Sequence, residues 1–219
     1  MSQSPGSGKP AGAAGAGDAS GKAVALPPPR RGGTVPVEAT LLLRASVREY
    51  RDTPVALADL SQLLWAGYGI THEGGKRAAP SAGAKYPLDL YVVAGMVEGL
   101  AAGIYRYRPE PHDLVGVAAG DLRRELAGAT WGQEWLAQAP LALAIAATYA
   151  RTTAKYGDRG RMYVHLDAGM AAENIALQAV ALSLGTVAVG AFDDAGVARA
   201  LRLPPGSEPV LILPVGRPR

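Results

Sequence analysis

The stretch MYVHLDAGMAAENIALQAVALSL, residues 162–184, decides the architecture of this chain. It contains few helix-breaking residues and, at 1.5 Å per residue, it predicts a helix of about 35 Å. Because the run is apolar on nearly every side, such a helix is typical of the centre of a protein or of a subunit interface. The polar exceptions Asp167, Asn174 and Gln178 are seven and four residues apart, so we expect them on one face.

The sequence predicts apolar strands before and after this helix. The run LALAIAATY, residues 141–149, is continuously apolar, which is typical of a strand covered on both faces. Three shorter strands, which together predict a small meander, are expected at residues 88–94, 104–107 and 114–117. Two final strands are predicted after the helix: TVAVGAF, residues 186–192, and PVLILPVG, residues 209–216.

Two helices are predicted before the meander. The first begins at Val37 and is expected to turn Leu41–Leu43 inward, and the second, residues 57–70, has leucines at helical spacing and two glycines as its stop. Shorter helices are predicted at residues 121–127 and 133–138 and from Asp193 or Asp194 to Leu201. Helices and strands do not alternate with the regularity of a doubly wound fold. The sequence therefore predicts an α+β fold with a mostly antiparallel sheet flanked by helices.

The composition predicts one folded domain preceded by a tail. The 219 residues are 48% hydrophobic and 19% charged, which is typical of a single globular domain. Residues 1–36 consist mostly of Gly, Ala, Ser and Pro and have few large apolar side chains to offset the entropy of ordering. We expect residues 1–36 to be disordered and residues 37–219 to form the domain.

Several classes of protein and site are disfavoured by the composition. The chain has no cysteine, and its three histidines are not spaced as metal ligands, so no metal is expected. Its 22 Lys and Arg residues are scattered rather than joined into one basic face, which argues against nucleic acid. No apolar run reaches the length of a signal peptide or a membrane span, so we expect a cytoplasmic protein without a membrane partner.

A phosphate-binding group is one interpretation of the residues that follow the first helix. Arg44, Ser46 and Arg48 are spaced at i, i+2 and i+4, and two guanidiniums with a hydroxyl suit a phosphate and its polyol. A solvated helix end is the alternative, because cations near a helix C-terminus are common. Arg217 is either a second phosphate contact or part of a charged terminus.

Two loops of small residues are candidates for contact with a flat ligand. RAAPSAGAKYP, residues 77–87, lacks bulky side chains at its centre, and Ser81 adds a hydroxyl. In VGAFDD, residues 189–194, the N–H groups of Gly190 and Ala191 can point at a heterocycle, while an aspartate caps the next helix. Plain connections between elements are the alternative in both places.

Proton transfer is the third kind of chemistry that the sequence offers. Lys155 and Tyr156, in AKYGDRGRMY, can both exchange protons once their surroundings move their pKa values toward neutrality. A solvated basic turn before the long helix is the alternative. Lys85 and Tyr86 form a second Lys-Tyr pair that competes for the same role.

The order of these motifs resembles one known family. RASVREY, LLWAGYGIT, RAAPSAGAKYPLDLYVVAG, GIYRY, AKYGDRGRMY, DAGMAAENIALQA, VGAFDD and LPVGRP occur in this order. From about residue 40 to the end, the chain is similar to the SagB-type dehydrogenase branch of the FMN-dependent nitroreductase superfamily. The resemblance implies an α+β homodimer that places its long helix at the dimer interface and holds FMN in two interfacial sites.

The resemblance also implies roles for particular residues. Arg44, Ser46 and Arg48, with Arg217, would hold the ribityl phosphate of FMN. Pro80, Ser81 and Ala82 would line the flavin from the partner subunit, and Gly190 and Ala191 would present N–H groups to its N5 side. Lys155 and Tyr156 would take a proton while hydride passes to FMN, and they match the family motif better than Lys85 and Tyr86 do.

The substrate implied by the resemblance stays open between several classes. Members of this branch oxidise azolines in modified peptides to azoles, whereas other nitroreductases use NAD(P)H on nitroaromatics or quinones. The chain departs from the branch on its long helix, where it reads Asp167, Gly169-Met170 and Glu173-Asn174. We also expect it to be without the extra N-terminal recognition domain of many azoline oxidases. A small-molecule substrate, a modified peptide and a flavin-binding subunit without turnover all remain candidates.

Overall fold

A computed structural model describes residues 21–219. Within this range, seven strands form one antiparallel sheet in the order β1-β6-β5-β3-β7-β9-β8, and β2 and β4 form a small parallel pair. The strands are Ala23–Ala25 (β1), Val55–Ala56 (β2), Leu88–Ala94 (β3), Val97–Glu98 (β4), Gly103–Arg108 (β5), Asp113–Ala119 (β6), Leu141–Ala147 (β7), Gly185–Thr186 (β8) and Glu208–Gly216 (β9). The predicted α+β fold with a mostly antiparallel sheet is confirmed.

Helices cover both faces of this sheet. They are Val37–Leu43 (α1), Leu57–Tyr68 (α2), Arg123–Gly128 (α3), Ala150–Tyr156 (α4), Arg159–Ala181 (α5) and Asp194–Ala200 (α6), with short 3₁₀ turns at Glu73–Gly75, Ala82–Ala84 and Glu134–Gln138. Helices α2 and α5 pack together on one face, and a β-carbon on Gly67 would lie 2.8 Å from the Ile175 side chain. Helices α3 and α6 lie with the 134–138 turn on the other face.

The central strand β7 separates two hydrophobic cores. Leu141, Leu143 and Ile145 belong to the core beneath α2 and α5, whereas Ala142 and Ala144 belong to the core beneath α3 and α6. This alternation explains why the run is apolar without interruption, since each face of the strand meets a different layer. The prediction of a doubly covered strand is confirmed.

Two predictions for individual elements were wrong, and one helix was not predicted. Leu41–Leu43 are exposed rather than turned inward. The predicted strand at 186–192 is a strand only up to Thr186, after which a single bridge joins Val189 to Ile212. Residues 150–156, which were not predicted as a separate element, form helix α4, which ends where Gly157 adopts a φ of +58°.

The predicted disordered tail comprises residues 1–36. Residues 1–20 lie outside the described residues. Residues 21–36 were also expected to be disordered, but Ala23–Ala25 pair with β6, and Leu26 is buried. The ordered chain therefore begins before the predicted boundary at residue 37. None of the helices described between residues 21 and 219 is both long and apolar enough to cross a membrane.

Candidate active site

The loop from Pro80 to Tyr86 has an unusual backbone. Gly83, Ala84 and Tyr86 have φ angles of +59°, +51° and +46°. Positive φ is uncommon for residues other than glycine, and in a bulky residue it marks strain that the surroundings must sustain. The Tyr86 N–H donates to Ser81 Oγ at 2.9 Å, which ties the two ends of the loop together.

Lys155 and Tyr156 lie directly against this loop. Helix α4 presents both side chains to Gly83, where a β-carbon would lie 2.5 Å from Tyr156 Oη and 3.0 Å from Lys155 Nζ. The Lys155 ammonium is also 5.0 Å from the centroid of the Tyr156 ring. The structure thus brings one predicted Lys-Tyr pair to the predicted flavin-lining loop of the same chain.

The buried carboxylate of Asp167 holds the start of the loop. It is 2% exposed and accepts hydrogen bonds from the Ala82 N–H, at 3.3 and 3.4 Å, and from the Ser81 hydroxyl. Burial raises the pKa of Asp167, and these two hydrogen bonds oppose the increase. Helix α5 therefore fixes the loop through the first of the three polar residues predicted on one face.

A second group of predicted residues surrounds a cavity of about 230 Å³ on the other side of α5. Arg44 and Ser46 line it with Glu173, and Arg44 Nε lies 3.7 Å from Glu173 Oε1. Small residues leave the space open: Gly169, Ala172, Ala176 and Ala188. An exposed guanidinium and a hydroxyl at such a cavity can hold an anion, although Glu173 competes for the same cation.

The remaining predicted residues lie outside these two groups. The Arg48 guanidinium stacks at 5.8 Å from the ring centroid of Trp135, and the Arg217 carbonyl accepts from the Arg51 N–H at 2.9 Å. The Ala191 carbonyl accepts from Gln133 Nε2 at 2.7 Å. Within residues 21–219, the N–H groups of Gly190 and Ala191 have no hydrogen-bond partner.

The chain is similar to known proteins over most of its length. The profile of the Nitroreductase family matches residues 41–217, which is most of the chain. The chain belongs to the nitroreductase family. A Methanocaldococcus jannaschii protein described as a putative nitroreductase is 46% identical over 183 residues, covering 84% of this chain and 91% of that protein.

Solved structures of nitroreductases have the same fold. A protein from Ralstonia eutropha described as a putative nitroreductase is 33% identical, with a TM-score of 0.82 and coverage of 93% of this chain and 92% of that one. A chain of the Escherichia coli microcin synthetase complex, solved with truncated pro-MccB17, has a TM-score of 0.71 at 20% identity, covering 90% of this chain and 78% of that one. At this identity, the second likeness concerns the fold alone.

Two residues beside this candidate site were not singled out in the sequence. Arg77 stacks on two tyrosines beside the loop, and Gln133 orients the peptide of Ala191. The position of Arg77 just before the PSAGA motif is a signal that could have found it. Gln133 has no such signal, because it lies 58 residues from its partner. Among the described residues, no three His, Cys, Asp or Glu side chains are grouped to hold a metal ion.

Proposed function

We propose that this nitroreductase-family protein is an FMN-dependent oxidoreductase in which Lys155 and Tyr156 move the proton that accompanies hydride transfer. One observation carries the proposal: both side chains lie against Gly83, in the loop predicted to line the flavin. Members of the family generally use FMN, which, when bound, supplies the group that accepts or donates hydride. An ammonium and a phenol at one point suit the complementary task of holding and moving a proton.

The predicted cofactor-binding residues have the chemistry that FMN binding requires. Arg44 and Ser46 would hold the phosphate at the 230 Å³ cavity, with Arg48 and Arg217 contributing positive charge. The free N–H groups of Gly190 and Ala191 are donors for a flat heterocycle. Pro80, Ser81 and Ala82 would line the ring with backbone and small side chains.

A homodimer is part of the proposal. Leu41–Leu43 on α1 and three residues of α5, namely Met162, Leu166 and Met170, are large, apolar and exposed in the single chain. Spaced at i, i+4 and i+8, the α5 residues lie along one side of the helix. Exposed apolar surface of this extent is typical of an interface. A second copy packed there would let loop 80–82 of one subunit complete the site of the other.

Two substrate classes follow from different observations. The 46% identical relative described as a nitroreductase favours reduction of a nitroaromatic or quinone by NAD(P)H. The SagB-type motifs favour oxidation of an azoline in a modified peptide, and the fold similarity to the microcin synthetase chain is compatible with it. In the oxidative direction, one hydride and one proton leave the substrate, and Lys155 or Tyr156 would take the proton.

The first test is the identity of the cofactor. We expect the purified protein to carry FMN, identified by absorbance and by the mass of the released ligand, at about one per chain. Lys155→Ala should keep this FMN. Its turnover of a nitroaromatic with NAD(P)H should fall at least about tenfold, since general acid–base catalysis contributes roughly 10²- to 10⁴-fold. The matched control Lys85→Ala should stay within twofold of the wild type. Unchanged turnover in Lys155→Ala would contradict the assigned proton-transfer role.

A further inference from the structure

We propose that Arg77 is a positioning residue of this site, and that it holds the strained loop 80–86 in the conformation that presents Gly83 to Lys155 and Tyr156. The inference rests on the proposed function and deepens it. Within residues 21–219, Arg77 forms no ion pair, hydrogen bond or cation–π contact with either member of the pair. It acts through the ring of Tyr86 at the end of the loop.

The guanidinium of Arg77 lies against two aromatic rings that also contact each other edge-on, with centroids 6.4 Å apart and ring planes at 77°. Its Cζ atom is 4.2 Å from the ring centroid of Tyr68 and 4.6 Å from that of Tyr86. Tyr68 is buried at the end of α2, and its hydroxyl accepts from the Leu88 N–H at 3.2 Å, so this ring is fixed to the core. Arg77 thereby reinforces the contact between a ring fixed to the core and a ring that belongs to the loop.

Cation–π contact, rather than ion pairing, holds Arg77. The Nε atom is buried and has no hydrogen-bond acceptor within residues 21–219, and no carboxylate of that part of the chain forms an ion pair with Arg77. A planar guanidinium can pack against ring faces in a way that a compact ammonium cannot. The interaction therefore depends on the shape of Arg77 as well as on its charge.

The loop needs such support because Tyr86 adopts a strained conformation. At a φ of +46°, a tyrosine relaxes toward negative φ unless its surroundings oppose the change. Four contacts oppose it. The Tyr86 N–H donates to Ser81 Oγ, and the Tyr86 carbonyl accepts from Arg151 Nη1 at 3.2 Å. The Tyr86 ring packs edge-on against the Tyr68 ring, with centroids 6.4 Å apart, and Arg77 Cζ lies 4.6 Å from its centroid. The last two contacts constrain the side chain, and Arg77 touches both rings of that pair.

Small movements of this loop matter for the chemistry. Tyr156 Oη and Lys155 Nζ approach Gly83 so closely that a single added carbon would overlap them. Relaxation of Tyr86 would shift Gly83, three residues earlier, relative to both groups. Catalysis falls steeply when reacting groups are misplaced by about 1 Å. Loss of Arg77 should therefore lower turnover more than it lowers FMN binding.

The test compares Arg77→Met with Arg161→Met in the full chain loaded with FMN. Arg161 is a matched control, since its Cζ stacks at the same 4.2 Å from the ring centroid of Tyr149 but belongs to α5 rather than to the loop. The measured reaction is the reduction of a nitroaromatic by NAD(P)H. We expect Arg77→Met to keep the wild-type FMN content, to lose at least about tenfold in kcat for this reaction and to shift the pH profile of that kcat. Arg77→Lys should recover only part of the rate, and Arg161→Met should stay within twofold of the wild type.

A double-mutant cycle distinguishes positioning from general destabilisation. Tyr86→Leu removes the loop ring alone, and if Arg77 acts through that ring the losses of Arg77→Met and Tyr86→Leu should not add in the double variant. Additive losses, or an Arg77→Met enzyme with wild-type kcat and pH profile, would overturn the proposal. If Arg77→Met does not fold, Tyr86→Leu with lowered kcat and retained FMN supports it, and wild-type kcat in that variant overturns it.

Failure of the cofactor assignment gives a different result from failure of this inference. A wild-type protein that binds no FMN refutes the proposed function, whereas the Gly83 amide resonance reports the loop without a cofactor. In that case a Gly83 resonance that moves in Arg77→Met but not in Arg161→Met supports the positioning role. A Gly83 resonance that does not move in Arg77→Met refutes it.

Discussion

Gly83 combines two constraints that glycine alone satisfies. Its φ is +59°, and a β-carbon there would lie 2.5 Å from Tyr156 Oη and 3.0 Å from Lys155 Nζ. We expect Gly83→Ala to lower the free energy of unfolding by about 1–2 kcal/mol, the cost of left-handed backbone. We also expect at least a tenfold loss of turnover, because the phenol and the ammonium must leave the loop. Chemical denaturation and steady-state kinetics measure the two effects.

The loop at residues 73–75 provides the control for this prediction. Gly74 has a φ of +77°, and a β-carbon there would meet nothing within 4 Å. Gly74→Ala therefore carries the backbone cost without the overlap, and its turnover should stay within twofold of the wild type. Equal turnover in the two variants would show that contact between Gly83 and the Lys-Tyr pair is unimportant for the reaction.

Residues with a local chemical signature were the ones that the sequence could indicate. Lys155 and Tyr156 are adjacent in the chain, and the pattern names them as a pair whatever the fold around them. Arg77 gains its role from Tyr68 and Tyr86, and Gln133 gains its role from Ala191, so both depend on tertiary contacts. The proximity of Lys155 Nζ and Tyr156 Oη to Gly83 could not be predicted from the sequence, because it depends on how α4 packs against the loop.

At the scale of elements, side chains of α2 hold residues 21–36, the segment that precedes α1. Gln62 is buried and bonds both backbone groups of Arg30: its Oε1 accepts from the Arg30 N–H at 2.8 Å, and its Nε2 donates to the Arg30 carbonyl at 3.1 Å. We expect Gln62→Leu to cost about 1–3 kcal/mol of unfolding free energy, since it leaves these groups unpaired, and to speed proteolysis around residues 23–30. The exposed Gln138 gives a control, and Gln138→Leu should change neither quantity. If the two leucine variants are equally stable, the segment is held by its pairing with β6 instead.

The composition wrongly predicted disorder for residues 21–36, because their order does not come from large side chains. Residues 21–36 bury little apolar surface beyond Leu26. Their backbone groups are instead satisfied by the edge of β6 and by side chains from other elements, including Ser61, whose hydroxyl donates to the Pro27 carbonyl at 2.5 Å. Partners of this kind are 34 residues away in the sequence, so no local pattern indicates them.

At the scale of the whole molecule, burial on two faces made the central strands predictable. Strand β3 lies at Leu88–Ala94 as predicted, and the long helix occupies Arg159–Ala181, close to its predicted span. The strand order was not predictable, because β7 pairs with β3 and β9 across long separations in sequence. Leu41–Leu43 were misplaced for a geometric reason: three consecutive residues span about 200° of a helix and cannot share one buried face.

The exposed leucines of α1 lead to a prediction about assembly. Leu42 is 85% exposed in the single chain, and an interface between two copies would bury it. We expect Leu42→Glu to weaken dimerisation at least tenfold, as measured by sedimentation, because a carboxylate would be buried without a partner. FMN binding should fall with it if loop 80–82 reaches the site of the other subunit.

The control Trp131→Glu alters an exposed aromatic side chain outside α1 and α5 and should leave the dimer intact. A Leu42→Glu variant that stays dimeric would place the interface elsewhere, and a monomer that retains full FMN affinity would show that each chain binds the cofactor alone.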